Sequence, residues 1–266
     1  MCSADAGTRR IAHGHPEKII PAAASGAVHW GACDPAEPRN RRTRSSILIE
    51  RGGKRLLVDT SPDMRAQLLA CGVPGVDAIL FTHAHADHIL GLDDVRLLSR
   101  VVKRPLDAVG TRRTLSDIEG RFDYAFRPWQ PAYFYRPVLV PRVVEPGQSV
   151  EIEGIPIDLF DQDHGFMHTL GLRCGGFGYS TDAVALDDAA FAALEGVDTW
   201  VVGCFQRTPH RTHAHVDLAV AWAERVGARR TVLTHMGHDL DWAWLRRRLP
   251  PGIEPGRDGQ VLEIPG

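Results

Sequence analysis

No two of the five cysteines (Cys2, Cys33, Cys71, Cys174 and Cys204) form a C-x-x-C pair, and their number is odd. That argues against a cysteine zinc knuckle and gives no support to a disulfide framework. A reducing cytosol is the simplest setting. No apolar run approaches the ~20 residues that cross a bilayer, so a membrane is not an expected partner. The segment IIPAAASGAV after Lys18 is short and contains Pro21, and is not read as a signal peptide. Excess charge is missing too. With 31 basic and 33 acidic residues the formal charge is -2, which gives no global attraction to nucleic acid or anionic membrane. Repeats, low-complexity tracts and an internal linker are absent, which favours one domain. What is present is a chain of 266 residues, 44% of them hydrophobic, able to bury a large core.

Along that chain, β-rich runs end repeatedly in a polar residue. Ser46 to Glu50 and Arg55 to Asp59 flank Gly52-Gly53 and predict a hairpin. SPDMRAQLLACG predicts a helix with Ser61 as N-cap, Pro62 at its first position and Gly72 as its stop. DAILFT is a short buried strand. A less regular region follows, with the aromatic stretch FDYAFRPWQPAYFY, 122–135, as a loop or lid. VEIEGIPIDLFDQDH predicts a second hairpin turning at Glu153-Gly154, and LRCGGFGYSTD a strand pair. DDAAFAALEGV and VDLAVAWAERVG read as helices, TWVVGCF and RRTVLTH as strands. Asp59, a cluster at 83–88, His164, Asp182 and His235 all fall at predicted strand ends, where a rigid scaffold presents chemistry.

The cluster lies in FTHAHADHILGLDD, 81–94, and holds His83, His85, Asp87 and His88. A divalent metal needs several imidazoles or carboxylates converging on one point. His83 and His85 project to the same side of extended backbone. Asp87 and His88 follow one tight turn later, placed for a second metal. The alternative, a solvated histidine-rich loop, has to account for the matching residues downstream.

T-H-A-H-A-D-H resembles the H-x-H-x-D-H motif of the metallo-β-lactamase superfamily, and the likeness runs from about Trp30 to the C-terminus. It implies an α/β fold, an αββα sandwich of two mixed β-sheets flanked by helices. It also implies one metal on His83, His85 and His164, a second on Asp87, His88 and His235, and Asp182 bridging. Asp59 in LLVDTSPD would support the metal loop. The implied cofactors are two divalent ions, zinc or manganese. Two such ions ~3.5–4 Å apart share a hydroxide and neutralise a phosphoryl oxygen. Iron oxidoreductases of this fold tend to carry a carboxylate at the position of His85, which favours hydrolysis here.

Fold alone does not give the substrate. Two features point to phosphate esters. In TPHRTHAHVDLAV, His213 and His215 immediately precede a helix, where relatives that cut phosphodiesters carry an extra histidine. His215 matches that placement best and is read as the catalytic acid beside Asp87, with His213 as a substrate contact; a helix N-cap is the competing role for His215. Arg39, Arg41, Arg42 and Arg44 form a basic run suited to phosphate, and Arg42 and Arg44 are taken as substrate contacts. The chain resembles the phosphoribosyl cyclic phosphate phosphodiesterase subgroup in W-G-A-C-D-P…N-R-R-x-R-S-S, G-L-D-D, R-F-x-Y-A-F and T-H-A-H. The expected partner is a small cyclic or nucleotide-like phosphodiester. Nucleic acid is not expected, because no long arm for gripping tRNA is visible; a homodimer is compatible with the sequence. A thioesterase or lactonase of the same fold is the rival enzyme, and a non-catalytic metal- and nucleotide-binding accessory protein the rival outside enzymology.

The first 29 residues, with His13, His15 and His29, depart from the subgroup and show no clear strand, so 1–29 is read as a diverged segment and 30–266 as the hydrolase domain. Relatives with a cysteine-rich zinc site have more than Cys33 in this region, so no such site is expected. Asp93 and Asp94 are read as helix caps, His168 as a surface histidine, and Tyr124, Trp129 and Tyr133 as packing residues.

Overall fold

The computed structural model describes residues 8–12, 29–128 and 137–264. Trp129, Tyr133, His13 and His15 lie outside them. The first sheet contains β1 (Thr8–Ala12), β2 (Ile47–Arg51), β3 (Lys54–Val58), β4 (Ala78–Leu80), β5 (Leu106–Gly110) and β6 (Leu139–Val143). The second contains β7 (Ser149–Ile152), β8 (Ile155–Asp163), β9 (His168–Cys174), β10 (Phe177–Ser180), β11 (Thr199–Gly203), β12 (Arg230–Thr234) and β13 (Ile253–Pro255). The last strand, β14 (Gln260–Ile264), returns to the first sheet beside β1. The orders are β14-β1-β2-β3-β4-β5-β6 and β13-β12-β11-β10-β9-β8-β7. Both sheets are mixed, with antiparallel neighbours on one side and parallel neighbours on the other.

Period-two alternation divides each sheet into two faces. Ile47, Ile49, Leu56 and Val58 share one buried cluster with Ile157, Leu170, Tyr179 and Val201 of the other sheet, so the inner faces pack together. Leu48, Leu57, Ile79 and Phe81 turn outward under α1 (Met64–Ala70), α2 (Ala86–Ile89), α3 (Val95–Val102), α4 (Arg112–Arg121) and α5 (Asp123–Phe126). Phe160, Trp200, Val202 and Leu233 do the same under α6 (Asp188–Ala193), α7 (Val216–Val226) and α8 (Trp242–Arg248). The result is the αββα layering that the motifs imply.

Both hairpin turns sit at the expected residues. Gly52 and Gly53 have φ of 57° and 76°, Glu153 and Gly154 of 51° and 79°, the positive pair that two-residue hairpin turns need. The helix after β3 begins later than expected. Its N-cap is Asp63, and the Ser61 hydroxyl instead receives the Asp63 amide at 3.2 Å and reaches Gln67 at 2.9 Å. Two expectations are corrected. The stretch after the histidine cluster is regular through α3, β5, α4 and α5; residues 129–135 of the aromatic stretch expected as a loop or lid lie outside the described residues. The first thirty residues do hold a strand, β1, between β14 and β2. TRRIA has little apolar alternation of its own, and its pairing is set by strands distant in sequence.

Candidate metal centre

Strand ends on both sheets deliver the polar residues to one edge of the sandwich. Three of them, Asp59, Asp182 and His235, have φ of 63°, 49° and 54°. Backbone strain at three converging positions is the kind that accumulates at functional sites. Gly91 clamps the loop below: its amide bonds Thr60 O at 2.9 Å, and a Cβ there would lie 2.0 Å from Ser61 O.

Asp59 organises the cluster from behind. Fully buried, its carboxylate accepts the Thr82 amide at 2.8 Å, the Thr82 hydroxyl at 2.7 Å and His88 Nδ1–H at 2.7 Å. With its proton given to Asp59, the Thr82 oxygen is left to accept His83 Nδ1–H at 3.0 Å. His164 donates Nδ1–H to Thr212 O at 2.6 Å. In all three histidines the outer nitrogen is engaged, which turns Nε2 towards the centre.

There Asp182 meets them. Its Oδ2 lies 3.0 Å from His83 Nε2 and 2.7 Å from His88 Nε2; its Oδ1 lies 2.8 Å from His235 Nε2 and 3.3 Å from His213 Nδ1. Asp87 Oδ2 lies 3.3 Å from His88 Nε2 and 3.4 Å from His235 Nε2. Two groups of four donors result, each with all donor atoms within 4.8 Å: His83, His85, His164 and Asp182, and Asp87, His88, Asp182 and His235. Only Asp182 belongs to both.

Burial and charge divide the imidazoles. Desolvation lowers His83, His85 and His164, the last two to about 4 each. Burial also opposes charge on His88 and His235, but the carboxylates, Asp182 foremost, overcome it; His88 is held well above its usual value and His235 raised to about 9. Asp182 is itself buried, yet His235 and His88 hold it well below the carboxylate range. Nε2 of His83, Nε2 of His88 and Oδ1 of Asp182 are buried without a properly aligned hydrogen bond. Buried polar atoms without such bonds are costly, and nitrogen and carboxylate donors converging this way fit divalent metals of the zinc or manganese type.

The centre opens into a pocket of about 530 Å³, with Arg44, His85, Asp87, His164, His213 and His235 among its lining residues. The two histidines before α7 part company here. His215 occupies the N-cap position without a side-chain capping bond, and its ring is not part of the lining. His213 is, with its ring stacked on Phe205 (centroids 4.6 Å) and His235 (5.0 Å). Of the two histidines, His213 and not His215 faces the pocket. The amide of Ala214, between them, bonds Ala183 O at 2.7 Å and anchors this loop to the one carrying Asp182.

The arginine run also divides. Arg44 lines the pocket and pairs with Asp63 at 3.2 Å. Arg42, expected to contact substrate, is buried and donates to Leu240 O at 2.8 Å and Asn40 Oδ1 at 3.1 Å; it joins the 30–44 segment to the loop before α8. Arg39 pairs with Glu37 and lies over Trp242, and Arg41 lies over Trp30. Asp94 stands at the N-cap of α3 without a side-chain bond, and Asp93 receives the Tyr124 hydroxyl. His168 is exposed and pairs with Asp161 at 2.6 Å.

Residues 54–236 match the family of β-lactamase superfamily domains. The chain belongs to that superfamily. Within the metallo-β-lactamase fold it resembles proteins of several activities. The structure of a new diphosphatase from the PhnP family superposes with a TM-score of 0.84 at 31% identity, covering 97% of both chains. Ribonuclease Z of Mycobacterium sp. (strain KMS) is 28% identical over 263 residues, 85% of this chain and 92% of that protein. An octanoyltransferase of Porphyromonas gingivalis (strain ATCC BAA-308 / W83) is 31% identical over 237 residues. The match covers 87% of this chain but 47% of that protein, so the chain spans about half of this relative's length. Zinc-bound PqqB of Methylobacterium extorquens shares the fold, with a TM-score of 0.72 at 16% identity. The chain is a hydrolase of the metallo-β-lactamase superfamily with a candidate His/Asp metal centre. No helix among the described residues is long and apolar enough to cross a membrane.

Proposed function

We propose that the chain is a two-metal phosphodiesterase acting on small, nucleotide-like phosphodiesters. The observation that carries this reading is the pair of four-donor groups sharing Asp182, with His213 and Arg44 lining the same pocket. Likeness to a PhnP-family diphosphatase and to ribonuclease Z, both named for cutting at phosphorus, supports it. His83, His85 and His164 would hold one ion, Asp87, His88 and His235 the other, and Asp182 both. When bound, the pair supplies Lewis acidity at the phosphoryl oxygens and lowers the pKa of an attacking water.

The remaining work falls to side chains of the pocket. Arg44 offers guanidinium donors to a phosphoryl oxygen, and Asp63 holds it on the wall. His213 lies with Nδ1 3.3 Å from Asp182 Oδ1, and its Nε2 is left to give a proton to the departing oxygen. Stacking on Phe205 fixes the plane of that ring.

A leaving-group series tests the assignment. A general acid matters most when the departing alkoxide is basic. His213→Ala should lower kcat/KM for an alkyl phosphodiester by ~10²–10⁴, and far less for a p-nitrophenyl ester of the same non-leaving group. His215→Ala should alter neither much. The opposite ranking of the two histidines would return the acid role to His215. Turnover of thioesters or lactones with none of phosphodiesters would replace the reading by the acyl one.

A further inference from the structure

The pocket mouth carries apolar side chains that metal binding does not use. Phe166 is 83% exposed although it lines the pocket beside His164. Its backbone is held firmly. Gly165, at φ 84°, has Arg211 O only 2.8 Å from where a Cβ would sit, and its amide bonds Asp163 Oδ1 at 2.6 Å. The Phe166 amide bonds His164 O at 3.1 Å, and the His164 amide bonds Met167 O at 2.9 Å. A tight loop thus presents a large ring to open space, and among the described residues no aromatic or cationic group stacks on it. Leu90, 53% exposed at the C-cap of α2, lines the same pocket. Exposed apolar groups gathered at a functional opening mark a surface that a ligand covers. The cavity also leaves room, within the range of small-molecule sites, for more than a bare phosphate.

We propose that Phe166, helped by Leu90, is the specificity element of this pocket and stacks on a nucleobase carried by the phosphodiester. The inference rests on the phosphodiesterase reading for its phosphate end. It adds the chemical class of the non-leaving group: flat, aromatic and uncharged. An aromatic face suits every base, while Arg44 and the metal centre take the anionic end of the same molecule.

Two measurements on metal-loaded protein separate this inference from the reading beneath it. The first compares thymidine 5′-(p-nitrophenyl) phosphate with methyl p-nitrophenyl phosphate, which share a leaving group. Wild type should prefer the nucleoside ester, and Phe166→Ala should lose about tenfold more kcat/KM on it than on the methyl ester, the size of a single base-stacking interaction. Phe166→Trp should retain the preference. The second is calorimetric binding of thymidine 5′-monophosphate against methyl phosphate, which needs no turnover. Binding that discriminates through Phe166, without hydrolysis, would keep the stacking site and sink the phosphodiesterase. Hydrolysis of both esters with equal losses in Phe166→Ala, or no preference in wild type, would overturn the stacking site alone.

Discussion

Replacing Asp59 with Asn tests the architecture behind the metal centre, because it changes one charge and almost no volume. Asn tolerates the left-handed backbone that this position adopts at φ 63°, so the substitution adds no conformational strain. The carboxylate accepts three hydrogen bonds from Thr82 N, Thr82 Oγ1 and His88 Nδ1, at 2.8, 2.7 and 2.7 Å. An amide keeps one acceptor oxygen and turns an NH₂ towards at least one former donor. If the NH₂ takes the Oδ2 position it faces both His88 Nδ1 and the Thr82 hydroxyl, so the ring loses its anchor, the hydroxyl must reverse and the link to His83 changes; if it takes the Oδ1 position it faces the Thr82 backbone amide. Each lost bond to a charged acceptor is worth about 1.5–3 kcal/mol. Outer groups that orient metal-binding histidines typically contribute ~10–100-fold in affinity. Asp59→Asn should therefore weaken binding of the ion proposed for the His88 group by that factor, and of the ion proposed for His85 and His164 much less. Competitive chelator titration reads the two affinities, and denaturant unfolding of the stripped protein reads the stability loss. Unchanged affinity at both sites would refute the idea that Asp59 organises the centre.

The arginine pair should separate cleanly. Arg42→Ala should destabilise by about 2–4 kcal/mol, since it removes a buried, hydrogen-bonded side chain, with KM unchanged. Arg44→Ala should raise KM with little change in Tm; thermal melts and steady-state kinetics distinguish them. In metal-stripped protein, His235 is raised from 6.5 to about 9, so its contribution to stability is fully present below pH 6.5 and lost as pH rises through about 9. Metal requires the neutral ring, so the gap in Tm between loaded and stripped protein should widen from pH 6.5 to 9; parallel curves would contradict this.

The parts of this molecule that could be read in its sequence are those set by local chemistry. Gly52-Gly53 announces a hairpin because few other pairs accept positive φ at both positions, whereas in Glu153-Gly154 only the glycine carries that signal. The polar residue closing each buried strand is visible because the apolar run before it stops abruptly, and Asp59, His164, Asp182 and His235 stand out for that reason. What depended on distant partners was hidden. Strand β1 exists through pairing with β14 and β2. Arg42 is buried by Leu240 and Asn40, nearly two hundred residues and two residues away respectively. His213 and His215 stand on one short loop, which backbone bonds from Ala214 to Ala183, from Phe205 to Ala214 and from Val216 to Gln206 hold in place. The role of Phe166 could not be seen without its exposure; the only local signal was Gly165, which marks a fixed turn directly after His164.

The measurement that bears most directly on the central claim is a titration of zinc, and separately manganese, into stripped protein while following p-nitrophenol release from bis(p-nitrophenyl) phosphate. The two donor groups joined by Asp182 predict that activity rises until two equivalents are bound, and that Asp182→Ala stays inactive at any loading. Full activity at one equivalent, or in Asp182→Ala, would contradict the two-metal account.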